Sequence, residues 1–283
     1  MPTFTNRATL TFNGGATDSN TVVGNIVETL AIAKNAQTET YTEGSVVTYV
    51  VSLVNSGTTS FTGLTLTDDL GAYNFGGQTL YPLNYVDGTL LYYVNGVLAA
   101  TPTVTDTQPL TVSGISVPAG GNAILIYNAE VGSTAPLGVD GTVINTATLT
   151  GQGITEPLTA SATVSTADAP DLSITKALSP TTVPENGEIT YTFVISNYGN
   201  TAAVATDNLA VRDVFDPILN ITSVTLNGVL LEEGTGYTYD ATTGEFSTVE
   251  GVITVPEATF TQGTDGAYVT EPGTATLVVV GTV

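Results

Sequence analysis

The chain contains no cysteine, no histidine and no tryptophan, and only four basic residues in 283. Without cysteine or histidine it can build no disulfide, no Cys/His zinc site, no thiolate-bound cluster and no thiol- or imidazole-based nucleophilic centre. With a formal net charge of -22 it cannot neutralise a run of phosphates, which excludes nucleic acid and anionic membrane surfaces as partners. Charged residues are 11% of the chain, against about a quarter in ordinary soluble domains. No stretch approaches the roughly 18 apolar residues of a membrane-spanning helix. Met1 to Gly24 has neither the basic start nor the apolar core of a secretory signal, so a trimmed form or an export route without such a signal is expected. No cofactor or metal is expected.

What is present is threonine, glycine and valine in a pattern of period two, which indicates an all-β chain with no long helix. "VVTYVVSLVNSG" (46–57) and "EITYTFVISNYGN" (188–200) are strands running into Gly-containing turns, each followed by a further strand, "GLTLTDDL" (63–70) and "NLAVRDVF" (208–215). "YYVNGVLA" (92–99) and "VTLNGVLL" (224–231) each place Asn-Gly between apolar runs, the strongest short hairpin signal. "VPAGGNAILIYNAEVG" (117–132) matches "EPGTATLVVVGTV" (271–283). The expected architecture is two tandem immunoglobulin-like β-sandwiches joined at "TADAPD" (166–171).

A second repetition reorganises that picture. "NRATLT" at 6–11 is a near copy of "NTATLT" at 145–150, and each copy leads through a strand and linker to a lysine, Lys34 in one case and Lys176 in the other. Taking residues 28–168 as the first domain leaves 169–283 shorter by about the length of residues 1–27. The second domain reaches Val283 directly after its "ATLVVV" strand, where the first continues into "GTVINTATLTGQG" and "LTASATVST". An open apolar groove with unpaired strand edges is expected there, a state natural proteins avoid. Residues 1–27 are therefore expected to be a donor hairpin that completes the second domain of a neighbouring subunit, giving a head-to-tail homopolymer.

"ETLAIAKNAQTETYTEGSVVTYVVSLVNSGTTS" (28–60), its counterpart "DLSITKALSPTTVPENGEITYTFVISNYGNTAA" (171–203), the Asp-bearing strands and "NTATLT" resemble the repeat domains of bacterial and archaeal surface proteins called domain of unknown function eleven. The resemblance covers most of the chain. It implies an extracellular or cell-surface location and a role as stalk, adhesin or surface-layer module, and the permuted hairpin favours a polymer-forming subunit over a spacer.

Lys34 and Lys176 are the only lysines, and they occupy the same place in the two domains. Leu30, Ile32 and Lys34 share one strand face, as do Leu172, Ile174 and Lys176, so each ammonium is expected to face a core. Leu64, Leu66 and Asp68 share a face, as do Leu209, Val211 and Asp213. Val143, Asn145, Ala147 and Leu149 share another, repeated by Phe4, Asn6, Ala8, Leu10 and Phe12. A lysine, a carboxylic acid and an asparagine gathered in an apolar core meet the needs of a spontaneous isopeptide bond. Desolvation favours the neutral amine and the protonated acid, and the amine displaces ammonia from the carboxamide. The set is similar to that of Gram-positive pilins and collagen-adhesin-type domains. That resemblance implies a bond from Lys34 to Asn145 within a subunit with Asp68 as acid, and one from Lys176 to Asn6 of the next subunit with Asp213 as acid. The same residues also suit ordinary structural use: a strand-end lysine snorkelling to water, an aspartate before a turn, an asparagine capping one.

Other features carry less. Tyr81, Tyr85, Tyr92 and Tyr93 fit a sugar-stacking surface or, more simply, half-buried packing. Glu232, Glu233, Asp240 and Glu245 lack any fixed calcium-ligand spacing. Asn220-Ile221-Thr222 is a glycosylation triplet, and no signature selects a glycosidase carboxylate pair. The expected function is a structural filament subunit rather than an enzyme, with a ligand-binding adhesin or surface-layer module as the alternative.

Overall fold

The computed structural model describes residues 3–25 and 29–283, and the protein is all-β. The boundary expected between residues 27 and 28 lies outside the described residues. Strand alternation builds two separate apolar cores. In Val46–Asn55, Val47, Tyr49, Val51 and Leu53 are buried while the residues between them are more open, the signature of a strand packed on one face.

The first sandwich has two six-stranded sheets. One runs Val97–Leu98, Leu91–Val94, Asn122–Val131, Val46–Asn55 and Leu30–Ala36, with Leu83–Tyr85 also paired to Asn122–Val131. The other runs Thr103–Thr107, Leu110–Val117, Phe61–Asp68, Thr142–Thr150, Leu158–Thr166 and Thr40–Tyr41. Leu158–Thr166 also lies alongside Leu30–Ala36, closing one corner of the sandwich. The second sandwich repeats the first sheet with Leu172–Ser179, Glu188–Asn197, Gly273–Thr282, Asn220–Leu226 and Val229–Leu230. Its facing sheet has only three strands, Arg212–Val214, Glu245–Thr248 and Tyr237–Asp240.

Both Asn-Gly turns form as the sequence indicates. Asn95 and Gly96 have φ of 49° and 78°, and Asn227 and Gly228 have 50° and 79°, the paired positive values of a type I′ hairpin. A buried asparagine closes the same corner twice. The Asn55 side chain donates to the carbonyls of Thr59 and Pro118 and accepts from Gly57 N–H. Asn197 donates to those of Thr201 and Pro256 and accepts from Gly199 N–H.

One expected strand is shorter than its sequence suggests. Of residues 208–215 only Arg212–Val214 is extended and paired, after a short 3-10 turn at Ala205–Asp207. The cause is a missing neighbour. Phe61–Asp68 pairs on both sides, with Leu110–Val117 and Thr142–Thr150, whereas Arg212–Val214 pairs only with Glu245–Thr248.

The N-terminal residues form a hairpin of their own. Thr3–Asn6 pairs with Val22–Asn25 and Thr9–Phe12 with Gly15–Asp18, and Ser19 N–H donates to the Ala8 carbonyl between the two ladders. Among the described residues its strands pair with nothing else. Phe4, Leu10 and Phe12 are exposed, Leu10 to 65%. A further hairpin, Thr259–Gln262 with Tyr268–Glu271, braces the two sandwiches. Phe260 and Tyr268 pack on the first core, Tyr268 N–H donates to the Ser133 carbonyl at 2.8 Å, and Gln262 Nε2 donates to the Tyr73 hydroxyl at 2.7 Å.

Candidate functional site

Leu30–Ala36 is the edge strand of its sheet, and its inward parity carries Leu30 and Lys34 into the first core. Lys34 Nζ donates to Asp68 Oδ2 at 2.6 Å, and no solvent reaches either side chain. The Lys34 ammonium also lies 4.8 Å from the centre of the Tyr49 ring. Asp68 sits at the end of Phe61–Asp68, directly opposite Ala147, two residues along the same face from Asn145. Its other oxygen accepts the Leu70 N–H at 3.2 Å, and Oδ2 also accepts the Tyr127 hydroxyl.

Burial dominates the charge balance of this pair. It lowers the Lys34 pKa against the opposing pull of Asp68, and raises that of Asp68 against Lys34, the Tyr127 hydroxyl and the Leu70 N–H. Each shift favours the neutral form, amine on one side and acid on the other. Asn145 completes the group. It is wholly buried, and neither Oδ1 nor Nδ2 finds a partner in good hydrogen-bond geometry, although its side chain lies close enough to the Tyr49 and Tyr127 hydroxyls to lower the pKa of both against the larger rise from burial. The structure thus brings Lys34, Asp68 and Asn145 into one water-free pocket.

At the corresponding place the second sandwich brings together two of the three residue types. Lys176 and Asp213 form an ion pair, with the lysine over the rings of Tyr191 at 4.6 Å and of Phe193 and Phe215 at 5.5 Å. Lys176 keeps 40% of its side chain exposed and Asp213 18%. The whole Leu172–Ser179 strand is exposed, because among the described residues nothing corresponds to the Leu158–Thr166 strand that covers Leu30–Ala36. Between this strand and Leu209–Asp213 runs an open groove lined by Leu172, Ile174, Lys176, Phe193, Val211 and Asp213.

The expected third partner, Asn6, lies on the free hairpin and meets neither Lys176 nor Asp213 within the chain. It is set there as Asn145 is set in the first sandwich. Asn145 pairs across the strands with Ala162 and Val143 with Val164, while Asn6 pairs with Val22 and Phe4 with Gly24. The Phe4 ring covers Gly24 so closely that a Cβ there would fall 2.3 Å from it, and the Phe12 ring lies over Gly15 more loosely, at 3.4 Å from such a Cβ. A large and a small residue on the hairpin thus replace two valines of the first sandwich. On the opposite face Arg7 pairs with Asp18.

Sequence reasoning missed Tyr49, Tyr127 and Tyr191. One signal was available: Tyr49 stands six residues before Asn55, as Tyr191 does before Asn197. The other tyrosines form no stacking platform. Tyr92 is buried, with its hydroxyl on the Ser116 carbonyl, and Tyr81 and Tyr85 pack against the first core. Asp240 is occupied by Thr242, whose N–H and hydroxyl both donate to it, and Glu232, Glu233 and Glu245 face solvent.

No family model matches the sequence, and no curated protein matches it. Among solved structures the chain is similar to the pilus backbone protein RrgB of Streptococcus pneumoniae, at 15% identity over 90% of this chain and 50% of that one, with a TM-score of 0.35. It is also similar to the major pilin subunit BcpA of Bacillus cereus, at 13% identity over 96% of this chain and 73% of that one, TM-score 0.36. The collagen-binding domain of a Staphylococcus aureus adhesin matches 49% of this chain across 99% of its own length, at 9% identity and a TM-score of 0.32. The chain spans half the length of RrgB. These likenesses are too distant to carry function, which is argued from the site.

Proposed function

We propose that the protein is the structural subunit of an extracellular, pilus-like filament, in which the Thr3–Asn25 hairpin of one copy fills the groove of the next and is sealed there by an isopeptide bond. The observation that carries this reading is the pair of half-matched sites. The first sandwich has lysine, aspartate and asparagine enclosed beneath a two-stranded cover. The second has lysine and aspartate beside an uncovered groove, and the free hairpin copies the cover, asparagine included.

The register of the first sandwich transfers directly. Asp68 faces Ala147 and Leu66 faces Leu149, so Asp213 would face Ala8 of the neighbour and Val211 would face Leu10. Asn6 then takes the place of Asn145 beside Lys176, and the returning strand Val22–Asn25 runs along Leu172–Ser179. Docking buries Phe4, Leu10 and Phe12 and excludes water from Lys176 and Asp213. That desolvation favours the neutral amine and acid the reaction needs, so sealing follows docking. A hairpin and a groove on different parts of one subunit make a heterologous contact, which propagates as an open chain.

Boiling assembled material in detergent separates the possibilities. A ladder of covalent oligomers that disappears in Lys176→Ala and in Asn6→Ala supports the proposal, and Lys34→Ala should keep the ladder while losing one ammonia elimination from the subunit mass. Boiled material running only as monomer of unmodified mass rules out both bonds. A polymer that forms without residues 1–27 rules out the donor hairpin.

A further inference from the structure

Three buried polar atoms in the first site find no partner in good hydrogen-bond geometry: the Tyr49 hydroxyl and both amide atoms of Asn145. Unpaired buried groups are costly and rare, and three in one pocket require a reason. Tyr49 and Asn145 are neighbours within hydrogen-bonding reach, and that contact lowers the Tyr49 pKa against the larger upward effect of burial. Tyr127, the other hydroxyl near Asn145, is already committed to Asp68.

The second site repeats one of these tyrosines and drops the other. Tyr191 lies under Lys176 as Tyr49 lies under Lys34. Opposite Tyr49 stands Tyr127, whereas opposite Tyr191 stands Val279. The tyrosine that recurs is therefore the one whose hydroxyl is not given to the aspartate.

We propose that Tyr49, and Tyr191 in the second site, donates its hydroxyl to the asparagine carbonyl oxygen as the lysine attacks, and so supplies the oxyanion donor for bond formation. This deepens the isopeptide reading above and rests on it. The neutral Nζ of Lys34 forms a bond to Cγ of Asn145, and the carbonyl electron pair moves onto Oδ1, where the Tyr49 O–H is waiting. As the carbonyl reforms, the Cγ–Nδ2 bond breaks. The proton lost by Nζ is relayed through the Asp68 carboxyl to Nδ2, which leaves as ammonia. Tyr49 keeps its proton throughout, and burial, which holds its pKa up, ensures that it has one to share. The reaction also resolves the three orphan atoms: Nδ2 departs, and Oδ1 and the hydroxyl acquire each other. A preorganised donor in a dry site is worth far more than the same donor in water.

The test uses two full-length variants, neither of which can seal to its own copies. An Asn6→Ala chain keeps its groove and Lys176 but cannot be sealed through its own hairpin; a Lys176→Ala chain keeps its hairpin but cannot seal the one it receives. Mixing them permits one covalent bond per pair, from Lys176 of the first to Asn6 of the second, with docking followed by size-exclusion chromatography and sealing, as a covalent dimer, by denaturing gels. Adding Tyr191→Phe to the Asn6→Ala chain should leave docking intact and slow sealing roughly 100-fold, with the pH profile unmoved because lysine and acid still set it. Sealing at the parental rate, or weaker docking with an unchanged sealing rate at saturation, overturns the proposal. A parental pair that docks and never seals overturns the isopeptide reading itself, before tyrosine is at issue. In the first site, Tyr49→Phe should lower the yield of the Lys34–Asn145 linked peptide. Placed in an Asn145→Ala chain, Tyr49→Phe should leave the melting temperature unchanged or raise it, since it removes an unpaired hydroxyl. A lower melting temperature there would mark Tyr49 as a packing residue and overturn the assignment.

Discussion

Lys34 Nζ stands 2.6 Å from Asp68 Oδ2 with both side chains sealed from water, whereas Lys176, paired with Asp213 at the corresponding place, leaves 40% of its side chain in solvent. The difference comes from two strands. Thr142–Thr150 and Leu158–Thr166 cover the first pair, and no described strand covers the second.

A buried acid without its base should report this directly. In an Asn145→Ala chain, which can form no internal bond, Lys34→Met leaves Asp68 enclosed with its main opposing charge removed. Burial already raises the Asp68 pKa above 3.8, so the folded state holds a proton that the unfolded state gives up. Stability is then greatest below pH 3.8 and falls as pH rises through the raised folded value. Melting temperatures of this double variant should be higher at acid than at neutral pH, relative to a triple variant that also carries Asp68→Asn. Equal values would place Asp68 in contact with water.

The exposed face of the hairpin should matter to assembly and not to the subunit. Leu10→Lys touches no core within the chain, so the monomer's melting temperature should hold. In the docked position it puts a charge where a leucine would be buried, forfeiting at least the roughly 1.5–3 kcal/mol of a buried Leu, or tenfold or more in docking affinity. Analytical ultracentrifugation of Leu10→Lys should show monomer at concentrations where the unsubstituted chain is polymeric. Normal polymer would mean that Leu10 faces solvent in the assembly.

Phe4 and Gly24 should behave as one unit. Gly24→Val places a Cβ 2.3 Å from the Phe4 ring, so the ring must swing away and docking should weaken. Phe4→Val together with Gly24→Val recreates the Val143 and Val164 pair of the first sandwich and should recover part of the loss. A double variant no better than Gly24→Val alone would break the equivalence of the two hairpins.

The Thr259–Glu271 brace predicts a thermal signature. The Tyr268 ring packed on the first core and the Gln262 side chain tie the second sandwich to the first, so Tyr268→Ala with Gln262→Ala should separate the melting of the two cores. Calorimetry should resolve two transitions where the parent has one.

The strand-rich fold and the inward parity of Lys34, Asp68 and Asn145 were readable because period-two alternation fixes which side chains share a face. The strand expected over 208–215 is shorter because propensity describes a segment and a ladder needs a regular neighbour; Leu209 and Val211 make only scattered bonds to Gly251 and Thr248. The exposed face of Leu172–Ser179 follows from the same gap. The tyrosines escaped notice because a strand tyrosine is ordinarily packing, and only the orphaned hydroxyl of Tyr49 distinguishes it. The brace joins residues that alternation cannot relate, Gln262 and Tyr73 being 189 positions apart.

Both lysines lie on the first strand of their sandwiches, and that position has a mechanical consequence. With both bonds made, a pull on the filament enters a subunit at Asn6 and passes 28 residues along the chain to Lys34. It crosses to Asn145, follows 31 residues to Lys176 and leaves through the next subunit's hairpin. The backbone from 35 to 144 and from 177 onward would carry no load. Tension would run through a covalent thread along one side of the molecule, while the two hydrophobic cores rode beside it unstretched.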